Sequence, residues 1–326
     1  MQEVLTGVKR LFWNPDENRL RALFRVPVVL GLVLLAAQLI NAGLEALRST
    51  VGVPDPLFAT LWLGTLTVVI AAVAWFVDKR HRRDMGLGLD RRWWFDAAAG
   101  LLTGLAMVVT VVVALRVAGM AAVGGPYRVE NPTVVLGGSA AAGLTYGLAF
   151  FTAVAVLEEF VVRGYLLTNV AEGVRGATDD GRVAVGAAVL ATAGLFGVLH
   201  AANPSGSLLS LLNITLAGLL LGGAYAATGR LGFPVGLHTT WNFGLGPLFG
   251  LPVSGLTTDA AVVPVQVDGP RLVTGGGFGP EGGLVMLLAL AVGTAMLAWW
   301  LRRVGAGLAL DGRVAVPDLW SERREP

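Results

Sequence analysis

The chain is a succession of long apolar runs separated by short polar stretches. The first run begins near Val26 and lasts about 20 residues, the length a helix needs to cross ~30 Å of hydrocarbon. Further runs lie near 57–77, 96–118, 134–157, 183–200, 207–227, 233–250 and 282–301. The pattern therefore predicts an all-α integral membrane protein, a bundle of about eight transmembrane helices. Upstream, Val4, Val8, Leu11 and Phe12 recur at helical spacing beside Lys9, Arg10, Arg19, Arg21 and Arg25, which predicts a short interfacial segment over residues 1–25. No secretory signal is expected, because the first run lacks a small-x-small cleavage site. The sequence shows no internal repeat, and nothing after Arg303 suggests chemistry.

Composition agrees with a lipid solvent. Hydrophobic residues make up 55% of the chain and charged ones 14%, well below the roughly 25% charged of soluble domains. A net charge of +2 over 326 residues gives no reason to expect nucleic acid as a partner; the bilayer itself is the expected one. With no Cys, disulfides, thiolate nucleophiles and thiolate metal sites are excluded. The basic stretch Lys79-Arg80-His81-Arg82-Arg83, with Arg91 and Arg92, reads as a cytoplasmic loop, which places both termini on the cytoplasmic side of the cell membrane. Segment 251–281, with Asp259, Asp268 and Glu281 against Arg271, then reads as an outside loop. Trp93, Trp94, Trp299 and Trp300 read as interface anchors, and the 45 Gly suit closely packed helices.

Against this background the stretch Leu157-Glu158-Glu159-Phe160-Val161-Val162-Arg163 stands out. Each charge near the centre of a membrane helix costs ~2.5–3.5 kcal/mol on insertion scales, and this stretch holds three. Glu159 and Arg163 are four apart on one helical face and can pair. Glu158 points about 100° away and has no such partner. Of the three histidines, His81 lies in the basic loop, whereas His200 and His238 fall at or within apolar runs; His238 shares a helical face with Asn242. Counted from a turn near Ala177, Glu158 and His200 would be level to within about 6 Å in an antiparallel hairpin. That meeting requires the fourth helix to continue past Arg163 to about Val170, with a site towards the cytoplasmic half. Each group also has a bland reading: Glu159–Arg163 as a structural bridge, either His or Asn242 as an interhelical hydrogen bonder, Asn213 as purely structural.

Together, EExxxR at 158–163, FxxxH at 196–200 and HxxxN at 238–242 resemble, in order, the three motifs of the CPBP family of intramembrane proteases. This family is also called the CAAX protease or ABI family and includes the Ras-converting prenyl-protein endopeptidase. The resemblance covers roughly 134–250, which makes 26–133 accessory helices, 134–250 the catalytic core, 251–281 an extracytoplasmic loop and 282–326 a last helix with its tail. It implies peptide-bond hydrolysis of a membrane-associated, in some branches lipidated, protein or peptide. By that resemblance Glu158 and His200 activate a water, His238 and Asn242 stabilise the oxyanion, Glu159 and Arg163 form a structural pair, and Phe196 packs on His200. Glu158, His200 and His238 could alternatively ligate zinc, which the sequence does not decide. Two other classes stand beside the protease: a non-proteolytic scaffold or self-immunity protein of the same fold, and a proton-coupled transporter, for which repeated halves would be expected.

Overall fold

The computed structural model describes residues 11–125, 129–259 and 261–320. Nine principal helices build it: α1 (Ala22–Val51), α2 (Asp55–Asp78), α3 (Arg91–Val117), α4 (Ala140–Glu159), α5 (Thr168–Arg175), α6 (Gly181–Leu199), α7 (Leu208–Thr228), α8 (Gly232–Phe243) and α9 (Val285–Arg303). A π-helical stretch, Phe160–Leu167, fuses α4 and α5 into one 36-residue rod. Their starts follow from local chemistry. Asp90, Ser139, Asp180 and Ser207 each accept a hydrogen bond from a first-turn backbone N–H of the helix they precede, at Trp93, Ala142, Arg182 and Ser210.

Seven helices are long and apolar enough to cross a membrane, so the all-α bundle stands. The seventh of the eight apolar runs, 233–250, is the exception. It forms the 12-residue α8 and a 5-residue π-helical continuation, Gly244–Leu248, at most ~25 Å of helix and short of a full span. Nearly every residue of α8 is buried, and protein surrounds it where a spanning helix would meet lipid.

Glycine contacts fix α8 in place. A Cβ on Gly100 would lie 2.2 Å from the Phe233 carbonyl oxygen, and one on Gly236 2.2 Å from the Ala97 carbonyl oxygen. Gly104 and Gly232 meet Leu237 and Trp93 in the same way. Two facing small-xxx-small pairs thus bring α3 and α8 into backbone contact, the arrangement by which membrane helices gain dispersion energy without a hydrophobic drive.

The bundle has two unlike ends. At one, the basic loop 79–90, the turn between α5 and α6, the α7–α8 turn and the tail come together: Leu231 N–H donates to Gly86, Asp311 N–H to Ala226 and Trp320 N–H to Lys79. Arg25, fully buried, bonds Asp78 at 2.6 Å and Glu172 at 2.9 Å, and Arg80 bonds Glu172 at 2.6 Å, so α1, α2 and α5 are clamped by one ion network. At the opposite end, β3 (Ala121–Val123) pairs antiparallel with β4 (Val265–Val267), and the segment 249–284 folds back onto the helices.

Two expectations are corrected here. The segment 1–25 is described only from Leu11, and within it β1 (Trp13–Asn14) pairs with β2 (Arg19–Leu20) in a hairpin instead of continuing a helix; residues 1–10 lie outside the described residues. Trp93 is buried, its indole N–H donating to the Gly86 carbonyl at 2.9 Å, so it locks the loop and does not anchor an interface; Trp94, by contrast, is exposed. The tail packs against the basic end through the buried Val314, Ala315 and Leu319.

Gly236→Ala should shift or loosen α8 and lower stability by ~1–3 kcal/mol, the cost of overpacking. Gly43→Ala, where an added Cβ meets nothing within 4 Å, should be neutral. Thermal unfolding of both variants in detergent checks the pair.

Candidate active site

Glu159 is the centre of the site. Its carboxylate is fully buried in the last turn of α4, and its Oε1 accepts both from Arg163 at 2.8 Å and from the Nδ1–H of His238 at 2.8 Å. The first motif is thereby joined to the third across two helices. The Arg163 guanidinium lies 4.4 Å from the centre of the Phe196 ring, which joins the second motif as well. Phe196 stacks edge-on against His200 at 4.6 Å and faces His238 at 6.2 Å.

Local structure explains why these groups converge. The rod changes from α to π geometry immediately after Glu159, and such π insertions cluster at functional sites. Gly164 within the π stretch lets the loop carbonyl of Met85 approach to where its Cβ would be only 2.8 Å away. The fourth helix therefore does continue past Arg163, as the meeting of Glu158 and His200 demanded. His200 caps the end of α6, where its Nδ1–H donates to the Phe196 carbonyl at 2.7 Å, leaving Nε2 free for the cavity.

Glu158 differs from its neighbour. Its side chain is 33% exposed where that of Glu159 is 0%, and its Oε2 is buried with no hydrogen-bond partner in the protein. This oxygen stands 3.9 Å from His238 Nε2, too far for a hydrogen bond and near enough for one water to serve both. Glu158, His200, His238 and Asn242 all line one cavity of about 500 Å³. All six residues singled out from the sequence are thus brought together: four on the cavity wall, with Glu159 and Arg163 behind it.

Glu158, His200 and His238, the residues that would hold a zinc, share the cavity, although among the described residues no three His, Asp or Glu side chains are already grouped as a metal set.

The cavity also contains residues the sequence did not single out. Glu281, read only as part of an acidic outside loop, is buried; it accepts from Trp241 Nε1 at 2.9 Å, from Ser254 Oγ at 2.9 Å and from the Ser254 backbone N–H. Asn213 donates to the carbonyls of Glu281 at 2.8 Å and Gly283 at 2.9 Å, the structural part expected of it. Asn203 donates to the Ser254 carbonyl at 2.9 Å. Segment 251–281 therefore builds one wall of the site. The signal available was Glu281 itself, an acid set among glycines at 275–283 next to an apolar run.

His238 lies two turns from Leu231 and the basic loops, and the cavity it lines extends away from them. The wall includes Leu199, His200, Asn203, Val253, Ser254, Leu256 and Glu281 from the opposite end, and among the described residues nothing from the loops at the basic end.

A carboxylate, two imidazoles and an amide around a cavity inside a multi-pass helical bundle define a membrane-embedded site equipped for acid–base chemistry. Residues 140–244, which carry all three motifs, match the family described as type II CAAX prenyl endopeptidase, Rce1-like, and this match over about a third of the chain supports a CPBP/CAAX protease assignment. The match supports a CAAX-type intramembrane protease in general. No curated protein and no solved structure matches the chain.

Removing Glu159 leaves a buried guanidinium without its counter-ion, which costs ~3–5 kcal/mol. Glu159→Ala should therefore reduce folded yield and melting temperature in detergent, while Glu158→Ala should leave both near wild type.

Proposed function

We propose that the chain hydrolyses a peptide bond of a membrane-associated protein or peptide, using a water activated by Glu158. The observation that carries this reading is the unpartnered Oε2 of Glu158, 3.9 Å from the His238 ring nitrogen that Glu159 holds in orientation.

Glu158 takes a proton from the water, and the resulting hydroxide attacks the carbonyl carbon of the scissile bond. His200, its tautomer set by the Phe196 carbonyl, turns Nε2 to the cavity and orients the water. The oxyanion is received by His238 Nε2 and the Asn242 amide. With His238 protonated, Glu158 and Glu159 are balanced by Arg163 and the imidazolium, so the cluster carries no net charge into the lipid. Glu158 then returns its proton to the amide nitrogen as the C–N bond breaks, releasing a carboxylate and an amine.

The steps above use only this chain's own side chains and a water. The apolar walls, with Val33, Leu66, Ile70 and Leu157, suit a substrate held by a hydrophobic anchor. The prenylated proteins named in the family's description are one member of that class.

Glu158→Ala and His200→Ala should abolish cleavage of membrane peptides in cells while the protein stays inserted, read by proteomic comparison with wild type for peptides that accumulate uncut. Asn242→Ala should lower kcat about 100- to 1,000-fold, the effect of losing one oxyanion donor. Chelators should leave activity unchanged. A phenotype that survives both Glu158→Ala and His200→Ala would overturn the protease reading in favour of a non-proteolytic scaffold.

A further inference from the structure

We propose that the basic end of the bundle carries a binding site for the headgroup of an anionic phospholipid. It lies in a second pocket, which shares no lining residue with the active-site cavity, between the starts of α3 and α6 and the ends of α7 and α9. The site does not depend on the protease reading. It rests on an excess of guanidinium groups at the level of lipid headgroups, beside apolar side chains that acyl chains can cover.

The pocket has a volume of about 610 Å³, within the ~300–1,000 Å³ range of small-molecule sites. Arg92 and Asp96 reach it from the start of α3, Arg182 from the first turn of α6, Arg230 from the α7–α8 turn, and Asp311 and Arg313 from the chain after α9. Both carboxylates are already engaged. Asp96 accepts from Arg230 Nε at 2.5 Å and from Trp300 Nε1 at 2.8 Å, and Asp311 accepts from Arg313 Nε at 2.9 Å and Nη2 at 2.7 Å. The guanidinium groups of Arg92 and Arg182 also line the pocket and form no hydrogen bond or ion pair among the described residues. With four guanidinium groups and two carboxylates in the lining, two positive charges are left over. The nearby ion network differs, since Arg25 and Arg80 are matched there by Asp78, Asp84 and Glu172. A guanidinium stays charged at any physiological pH, and its planar fork matches the oxygens of a phosphate.

The place of the pocket favours a lipid over a free ion. α3 begins and α9 ends beside it, where membrane helices leave the hydrocarbon. Phe95 and Val304 in its lining are exposed, as is Trp299 beside Trp300, the side chains expected where protein meets the interface. A phosphate seated on Arg92 and Arg182 leaves its acyl chains against these residues. Basic pockets between membrane helices at this level recognise anionic headgroups in the same way. The pocket also adjoins the framework of the active site, because Arg230 immediately precedes Leu231 at the start of α8, the helix of His238 and Asn242. A bound headgroup ties α3, α6 and α8 together, and by mass action it stabilises the folded chain.

Thermal unfolding of the full chain in detergent tests this, with phosphatidylglycerol, phosphatidylcholine and inorganic phosphate as separate additions. Phosphatidylglycerol should raise the melting temperature saturably, by about 5 °C far above half-saturation, and the other two should not. Arg92→Gln combined with Arg182→Gln should abolish that shift and leave the melting temperature without lipid at the wild-type value, because neither guanidinium is bonded in the protein. Arg82→Gln, which removes an exposed charge of the same end outside the pocket, should keep the shift. No shift with phosphatidylglycerol, an equal one with phosphatidylcholine, or its loss in Arg82→Gln overturns the site. An equal shift with inorganic phosphate overturns the lipid in favour of a free anion. Native mass spectrometry of the folded protein decides independently of melting: the wild type should retain a phosphatidylglycerol that the double variant releases, and retention by both overturns the site.

Discussion

A single carboxylate holds the three motif segments in one place. Glu159 is out of contact with solvent and bonds Arg163 on its own rod and His238 on α8. In a low-dielectric interior each of these groups alone is far costlier than the cluster, because an ion without its partner keeps the desolvation penalty and loses the attraction that offsets it. The chain therefore reaches a low free energy only when α8 and the α4–α5 rod bring these groups together. Arg163 extends the constraint to α6 by lying flat on Phe196, which a planar guanidinium can do and an ammonium cannot. Fold and site are set by the same interactions, so position at the centre is specified by charge as well as by packing.

The framework around that cluster supplies precision from both sides. The facing glycines of α3 and α8 allow backbone to touch backbone, which leaves His238 and Asn242 little freedom to slide along the helix axis. The ion network at the basic end holds the far part of the rod, and Glu281 draws Trp241 and Ser254 together at the other. Trp241 directly precedes Asn242, so the bonds of Glu281 also fix the turn that carries the amide into the cavity. Several buried polar atoms have no partner in the protein; the Oε2 of Glu158 is the one among them that belongs to a carboxylate lining the cavity with His200 and Asn242.

Much of this was legible along the chain because lipid makes the signals loud. Long apolar runs mark spanning helices directly, and a charge inside one is so costly that EExxxR at 158–163 announces itself. The pairing of Glu159 with Arg163 followed from four-residue spacing alone. What escaped had no local signature. Run 233–250 is apolar enough to be read as a span, and only the glycine contacts with α3 make it short and protein-enclosed. The second bond of Glu159, to a histidine 79 positions away, depends on tertiary packing. The roles of Glu281, Ser254 and Asn203 are equally non-local, since a fold-back within 249–284 looks in sequence like an ordinary polar connection. Trp93 was misread because its composition suits an interface, whereas its position opposite Gly86 is set by the loop.

Successive glutamates in one helix turn illustrate how environment divides labour between identical side chains. Glu159 is committed to two hydrogen bonds and to a buried guanidinium, so its carboxylate is part of what holds the fold. Glu158, one residue earlier, has an oxygen committed to no protein group and faces the cavity shared with His200 and Asn242. The proposed general base is thus the acid on whose bonds the scaffold does not depend. The ring that Glu159 orients through Nδ1 presents its other nitrogen towards Glu158, so one imidazole connects the acid that holds the site to the acid that faces the cavity.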